Sequence, residues 1–223
     1  MKILAVETST EYCSVALWQE GLVAENCQLV GQKHSELLIA MIDELLKNAE
    51  TGISQLDGIA FGKGPGSFTG VRIACGAAQG LALGADLRVV GVCTLKALAE
   101  VSGHDKVIAA LDARMDEIYL AVYEKKGKEW HARIEPCLCK IENAPTLSRD
   151  GWFGVGSGFK VNNEALSKKY ERQLSGVDAS LVPQASAIAH IAVIEFSNAH
   201  AVDPELALPL YLRDKVALKT SER

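Results

Sequence analysis

The chain is 223 residues long, 48% hydrophobic and 23% charged, the composition of an ordinary globular protein with room for one large or two small domains. Net charge is −5 and Lys and Arg form no dense cluster, which disfavours direct, strong nucleic-acid binding unless a partner supplies the positive surface. No apolar run is long enough to span a bilayer, and the start, MKILAVETST, breaks at Glu7, so it reads as a strand and not a signal peptide, and cytoplasmic residence is expected.

The first elements form a meander. Residues 2–6 (KILAV) read as a strand buried on both faces, 7–11 (ETSTE) as a polar turn and 14–18 (SVALW) as a second strand. A turn at 19–21 (QEG) leads to a third strand over 22–29. From Ser35, apolar residues at Leu37, Leu38, Met41, Ile42, Leu45, Leu46 and Ala49 share one face of an amphipathic helix, which Gly52 ends. A short strand over 56–61 then feeds a glycine loop, GKGPGS at 62–67.

Val71, Ile73, Ala74, Cys75, Ala77, Ala78, Leu81, Ala82 and Leu83 give the next segment the composition of a buried helix. Ser67 or Thr69 can cap its start, and Asp86 lies just past its end. Gly76, Gly80 and Gly84 recur every four residues and so fall on one face. Each interior glycine costs about 1 kcal/mol relative to alanine, and the set about 3 kcal/mol. Close backbone approach offsets such a cost, either inside the chain, helix on sheet, or at a subunit interface. The residues alone leave both open.

A strand over 88–93 and a helix capped by Thr94 and running through Val101 close the first half. His104 and Asp105 mark the boundary between units 1–104 and 105–223. The pattern then restarts. VIAALD at 107–112 mirrors KILAVE at 2–7, and YLAVY at 119–123 mirrors SVALW at 14–18, at a constant offset of about 105 residues. EKKGKE at 124–129 is a solvated hairpin turn. The repeat predicts two similar α/β halves, each opening with a β-meander. Farther on, 152–158 (WFGVGSG) reads as a strand entering a glycine turn, 164–174 as a polar helix, and Ser186 as the cap of a helix bearing Ile188, Ile191, Ala192 and Phe196. Pro204 and Pro209 bracket a loop before LYLR at 210–213.

Several chemistries fail on spacing. Lys63 precedes the glycines of its loop instead of following them, so there is no Walker loop to cradle phosphates. The next strand ends VGVC without a carboxylate for a ribose, so there is no dinucleotide fingerprint. His34, His104, His131, His190 and His200 are scattered, with no i, i+4 pair for a metal; His34 flanks the start of its helix. Cys13, Cys27, Cys75 and Cys93 sit in apolar contexts, and Cys137 and Cys139 have neither zinc-ribbon nor redox spacing, which fits a reducing compartment. Glu7 and Asp112 either face one cleft across the repeat, as an acid/base pair or a magnesium site, or satisfy loop amides.

LAVETSTEYCSVALWQEG, FGKGPGSFTGVRIACGAAQGLALG, LDARMDEIYLAVY and PLYLR resemble the bacterial TsaB (YeaZ) family over nearly the whole chain. The resemblance implies an α/β, duplicated actin-like (ASKHA, RNase H-like) fold, with two subdomains of mixed sheets flanked by helices, the last helix packing back on the first subdomain. It leaves open whether 214–223 return to the first half. It also implies a scaffold partner of TsaD, the subunit that transfers threonylcarbamoyl from threonylcarbamoyl-AMP to N6 of the adenosine beside the tRNA anticodon. TsaE joins as an ATPase, tRNA is reached only through the complex, and the protein pairs with itself when alone. The alternative is an ATPase or glycoprotease-like hydrolase of the same superfamily; a chaperone-like or muralytic homodimer finds no constellation here.

Departures from TsaD-like proteins carry the non-catalytic reading. Their HxxxH metal pair aligns with Thr94 and Leu98, neither of which replaces imidazole. Their SGGHT loop aligns with DARMDE at 112–117, which has no glycine and three acids. The resemblance therefore implies no metal and no tight ATP site in the isolated chain, and a nucleotide, if any, only at a composite site with TsaD and TsaE. The weak nucleotide candidates are Glu7, Thr8, Asp112, Gly156 and Gly158. The family's subunit interface maps onto the two helices of the first half, here Leu38, Met41, Ile42, Leu45, Gly70, Val71, Ala74, Gly76, Ala77, Gly80, Leu81 and Gly84.

Overall fold

Strand β1 (Lys2–Glu7) is buried on both sides because its alternate residues enter different cores. Leu4 and Val6 join one apolar cluster, Ile3 and Ala5 another, the period-two division of a central strand. The computed structural model describes residues 1–148, 150–161 and 164–213, so the expectation for 214–223 lies outside the described residues. β1 pairs antiparallel with β2 (Tyr12–Gln19), and β2 with β3 (Leu22–Leu29). On its other side lie β4 (Gly58–Gly64) and then β5 (Val89–Cys93), both parallel. Parallel pairing requires crossovers, which α1 (His34–Asn48) and α2 (Phe68–Ala85) supply. The sheet order is β3-β2-β1-β4-β5.

α3 (Thr94–Val101) leads into β6 (Lys106–Arg114), and the plan repeats. β7 (Glu117–Lys126) and β8 (Glu129–Lys140) follow antiparallel; β9 (Trp152–Val155) and β10 (Leu174–Asp178) add in parallel. The second order, β10-β9-β6-β7-β8, is the first read from the opposite edge. Two mixed sheets of one topology, flanked by helices, make the duplicated actin-like, RNase H-like fold. α4 (Ala165–Lys169) is short, and α5 (Ala185–Ser197) packs on the first sheet, where Ile188 and Ile191 meet Ile3 and Ala5. α3 makes the reciprocal contact with the second sheet, where Leu95 and Leu98 meet Val107 and Ala109. No helix among the described residues is long and apolar enough to cross a membrane.

These facing pairs reset the repeat by one residue. The side of β1 that meets α5 is Ile3 and Ala5; the side of β6 that meets α3 is Val107, Ala109 and Leu111. Ala5 opposite Ala16 therefore corresponds to Ala109 opposite Ala121. A one-residue slip exchanges the faces of a strand, so the counterpart of Glu7 is Leu111, and Asp112 answers to Thr8. The constant offset read from the sequence holds for β7 but not for β6.

Other local differences have simple causes. The expected polar helix over 164–174 keeps only Ala165–Lys169, because Glu164 is left-handed (φ 60°) and Leu174–Asp178 completes the sheet edge beside β9. Thr94 is the first helical residue, not the cap, and Cys93 holds the cap position. Gln184 precedes α5, so Ser186 lies within the first turn, where its hydroxyl donates to Glu25 at 2.9 Å. β4 runs on to Gly64 and includes the first glycines of the loop. Cys13, Cys75 and Cys93 are buried, Cys27 half-buried, and burial pushes the Cys13 thiol up to about 11.

Candidate functional site

The glycine loop meets the β1–β2 turn so closely that side chains are excluded. A Cβ on Gly62 would stand 1.9 Å from Glu7 Oε2, one on Gly66 2.6 Å from Ser9 O, and one on Gly70 1.9 Å from Thr8 O. Hydrogen bonds fasten the same contact. Thr8 Oγ1 donates to Gly70 O at 2.7 Å, and Ser67 N donates to Ser9 O at 2.7 Å. Ser67 caps α2 by accepting from Gly70 N at 3.3 Å. These glycines lock the start of α2 onto the turn.

Glu7 sits beneath this lock, 1% exposed. Its Oε1 accepts from Ser9 N at 2.5 Å. Its Oε2, Ser9 Oγ and Thr94 Oγ1 are buried with no hydrogen-bond partner among the described residues. Burial raises the Glu7 carboxyl above its ordinary range; the nearby Ser9 and Thr94 groups temper that rise without reversing it.

Asp112 stands apart. Its Oδ1 accepts from Arg114 N at 2.8 Å, its Oδ2 lies 3.1 Å from Arg114 Nη1, and its own amide donates to Ser157 Oγ at 3.0 Å. Both carboxylates thus bind loop amides two residues on. Of the five weak nucleotide candidates, Glu7, Thr8, Gly156 and Gly158 are buried, and only Asp112 is part-exposed. A Cβ on Gly156 would lie 2.4 Å from Ala110 O, and one on Gly158 2.7 Å from Ala110 Cβ. In the second half the glycines serve strand-to-turn packing, and the five residues do not form an open anion site.

The β6–β7 loop carries a feature absent from the sequence reading. Arg114, Met115 and Asp116 are consecutive left-handed residues, at φ 63°, 58° and 59°, a conformation that side chains disfavour. Arg213 holds it. The Arg213 Nη2 donates to Glu117 Oε2 at 2.7 Å and to Ala113 O at 2.9 Å. The tail bearing Arg213 is itself tied to the first half: Leu210 N donates to Lys63 O at 2.6 Å, and Ala207 O accepts from Gln79 Nε2 at 3.0 Å. Arg72 stacks over Phe68, 3.3 Å from its ring centroid, and 4.8 Å from that of Tyr211. The GSFTGVRI, DARMDEIY and PLYLR segments therefore converge. Proximity of these motifs was the signal for Arg72, Tyr211 and Arg213, and only a three-dimensional structure supplies it.

The expected partner surface divides in two. Leu38, Met41, Ile42, Leu45, Val71 and Ala74 are buried in the chain's own core, under the helices, and Gly70 is spent on the turn. That part of the expectation is corrected: apolar periodicity identified the inward face. Gly76, Gly80 and Gly84 are exposed, and a Cβ on any of them would meet nothing within 4 Å. Internal helix–sheet packing of this stripe is therefore excluded. Ala77 and Leu81 are half-buried at its border, and Leu83 beside it is 73% exposed.

Known proteins resemble this chain in sequence and fold. The family model for TsaD, tRNA N6-adenosine threonylcarbamoyltransferase, matches residues 26–208. A Haemophilus influenzae protein named tRNA threonylcarbamoyladenosine biosynthesis protein TsaB is 39% identical, over 98% of this chain and 96% of its own length. Its Escherichia coli namesake is also 39% identical, over 98% and 97%. The structure of YeaZ from Pseudomonas aeruginosa superposes with a TM-score of 0.84 at 37% identity, over 95% of this chain and 99% of that one. A second structure, described as an uncharacterized protein with similarity to peptidase YeaZ from the same organism, gives 0.88 at 36%.

This chain belongs to the TsaB (YeaZ) family. Within that family frame, the positions aligned with the HxxxH pair of TsaD-like proteins are closed in this chain. Thr94 is fully buried beside Glu7, and Leu98 is fully buried, its Cδ2 2.5 Å from where a Gly156 Cβ would lie. His34 is spent too: its Nε2 lies 3.1 Å from Tyr12 O. Among the described residues, no group of three or more His, Cys, Asp and Glu side chains could hold a metal ion.

Proposed function

We propose that this TsaB-family chain serves tRNA threonylcarbamoyladenosine biosynthesis as a non-catalytic scaffold, binding a TsaD-type transferase through α2 and working with TsaE. The observation that carries this reading is the open glycine face of α2. Three interior glycines cost about 3 kcal/mol of helix stability, and no described residue approaches them. A second helix laid against Gly76, Gly80 and Gly84 supplies the close backbone approach that would offset this cost. The same face accounts for self-pairing when no partner is present.

The site between the halves supports the non-catalytic part. Thr94 and Leu98 are core residues, and the loop aligned with SGGHT is glycine-free and held in place by Arg213. We therefore expect the isolated chain to show no tight ATP binding by calorimetry; micromolar affinity would overturn that part. tRNA engages only through the assembled complex, consistent with the acidic net charge.

Reconstitution tests the whole reading. Threonylcarbamoyladenosine is expected to form on tRNA when TsaD and TsaE are supplied with this chain, and to be lost when it is omitted. Full modification without it would overturn the proposal. Peptide hydrolysis by the purified chain alone would favour the hydrolase reading instead.

A further inference from the structure

The duplicated fold allows two equivalent places to be compared. α5 follows β10 as α3 follows β5. At the start of α5 the chain supplies its own carboxylate: Glu25 Oε1 accepts from Ser186 N and Oε2 from Ser186 Oγ, both at 2.9 Å, while Ser14 Oγ accepts from Ala185 N at 2.9 Å. Glu25 stands opposite Ala16. The matching place in the second half, opposite Ala121, is a bulge between Ile134 and Cys137. There, Glu135 and Pro136 border an open cleft of about 660 Å³ instead of filling it.

The cleft is positively charged on the first-half side. Lys63 and Lys96 line it, with Trp130, Leu210 and Leu212 as apolar walls. Lys63 forms no ion pair among the described residues. Among the described residues Lys96 Nζ has only Glu195 Oε1, at 3.9 Å, and that carboxylate's other oxygen lies 2.7 Å from His200 Nδ1. Trp130 is held in place, its Nε1 donating to Glu100 Oε2 at 2.6 Å and its ring edge-on to Tyr123 at 6.4 Å. Two poorly neutralised ammonium groups in a part-buried cleft attract an anion, and the volume is that of a small-molecule site between structural units. Glu135 also lines the cleft, so its carboxylate opposes a large polyanion and leaves room for a small one beside the lysines. Thr94 and Leu98 point elsewhere, to Glu7 and Gly156.

We propose that this cleft binds a small organic oxyanion, a carboxylate or phosphate on a flat apolar body, with Lys63 and Lys96 holding the charge and Trp130 the body. Titration of the ¹⁵N-labelled full chain with phenyl phosphate and, separately, benzoate tests this by NMR. At least one is expected to give saturable shifts at the Trp130 indole N–H and the Lys96 and Ala132 amides. The affinity is expected to fall about tenfold in Lys63→Gln/Lys96→Gln, the scale of losing a charge contact, and to survive in Lys96→Arg. Either single Gln variant gives the same reading if the double variant does not fold. No saturable shift with either compound, an unchanged affinity in the Gln variants, or shifts centred on residues 7–11 and 112–117 would overturn the proposal. Inorganic phosphate binding as tightly as phenyl phosphate would overturn the role given to Trp130.

Discussion

On its outer face the first sheet carries α1 and α2, 15 and 18 residues long, whereas the second sheet carries the five-residue α4 and short 3₁₀ turns. The strands beneath are alike in order and direction. Apolar alternation therefore suffices to build either half, and a short cover closes the second core around Trp152, Phe159 and Tyr170. α2 differs in its outer face, where no described residue packs against Gly76, Gly80 or Gly84. This open face belongs to the first half, which is where the scaffold reading places the partner.

Glycines along this one segment offer the sharpest way to break the comparison. Gly70→Ala puts a Cβ into Thr8 O and is expected to destabilise the chain by about 3 kcal/mol, read by urea unfolding. A loss near zero would show that the lock between α2 and the β1–β2 turn is loose. Next in size is Arg213→Ala, which removes the bonds to Glu117 and Ala113 from an arginine only 14% exposed. We expect a loss of about 2 kcal/mol, with NMR changes concentrated at 113–117. Gly80→Ala goes the other way. With open space around it, the substitution should stabilise the isolated chain by about 1 kcal/mol, visible as a raised Tm at a concentration where the chain is monomeric.

The smallest effect concerns Glu7, whose carboxyl is raised by burial. A raised folded pKa means that the native state holds its proton after the unfolded chain has released it, so stability falls as pH rises through the window above the ordinary carboxylate range. Glu7→Gln stays neutral and should lose that part of the pH dependence. An unchanged slope between wild type and variant would place the pH dependence on other groups.

Much of the fold was legible because core-facing periodicity is a direct record of burial. Leu38, Met41, Ile42, Leu45 and Leu46 fell on one face of α1, and that face is the buried one. The same periodicity misled the site, since a partner surface is chosen from the residues that burial leaves over. Gly70 and Gly80 look alike in sequence, yet one touches Thr8 O and the other nothing. The strand at Leu174–Asp178 was missed because an edge strand with no buried residue, and with Val177 on its exposed side, carries a weak apolar alternation. Asp112 was paired with Glu7 because a repeat read by letters has no access to the face each residue takes; α3 and α5 supply that information only once packed. Thr94 and Ser186 both read as caps, but where a hydroxyl goes is set by tertiary neighbours: Thr94 is buried beside Glu7, and Ser186 donates to Glu25.

Complex formation by Gly80→Leu, followed by size-exclusion chromatography against a TsaD-type partner, tests the central claim most directly. A leucine on the open face of α2 leaves the chain folded and monodisperse, and the account predicts that the heterodimer seen with wild type disappears. A variant that still co-elutes with the partner at wild-type affinity would show that the glycine face of α2 is not where the scaffold works.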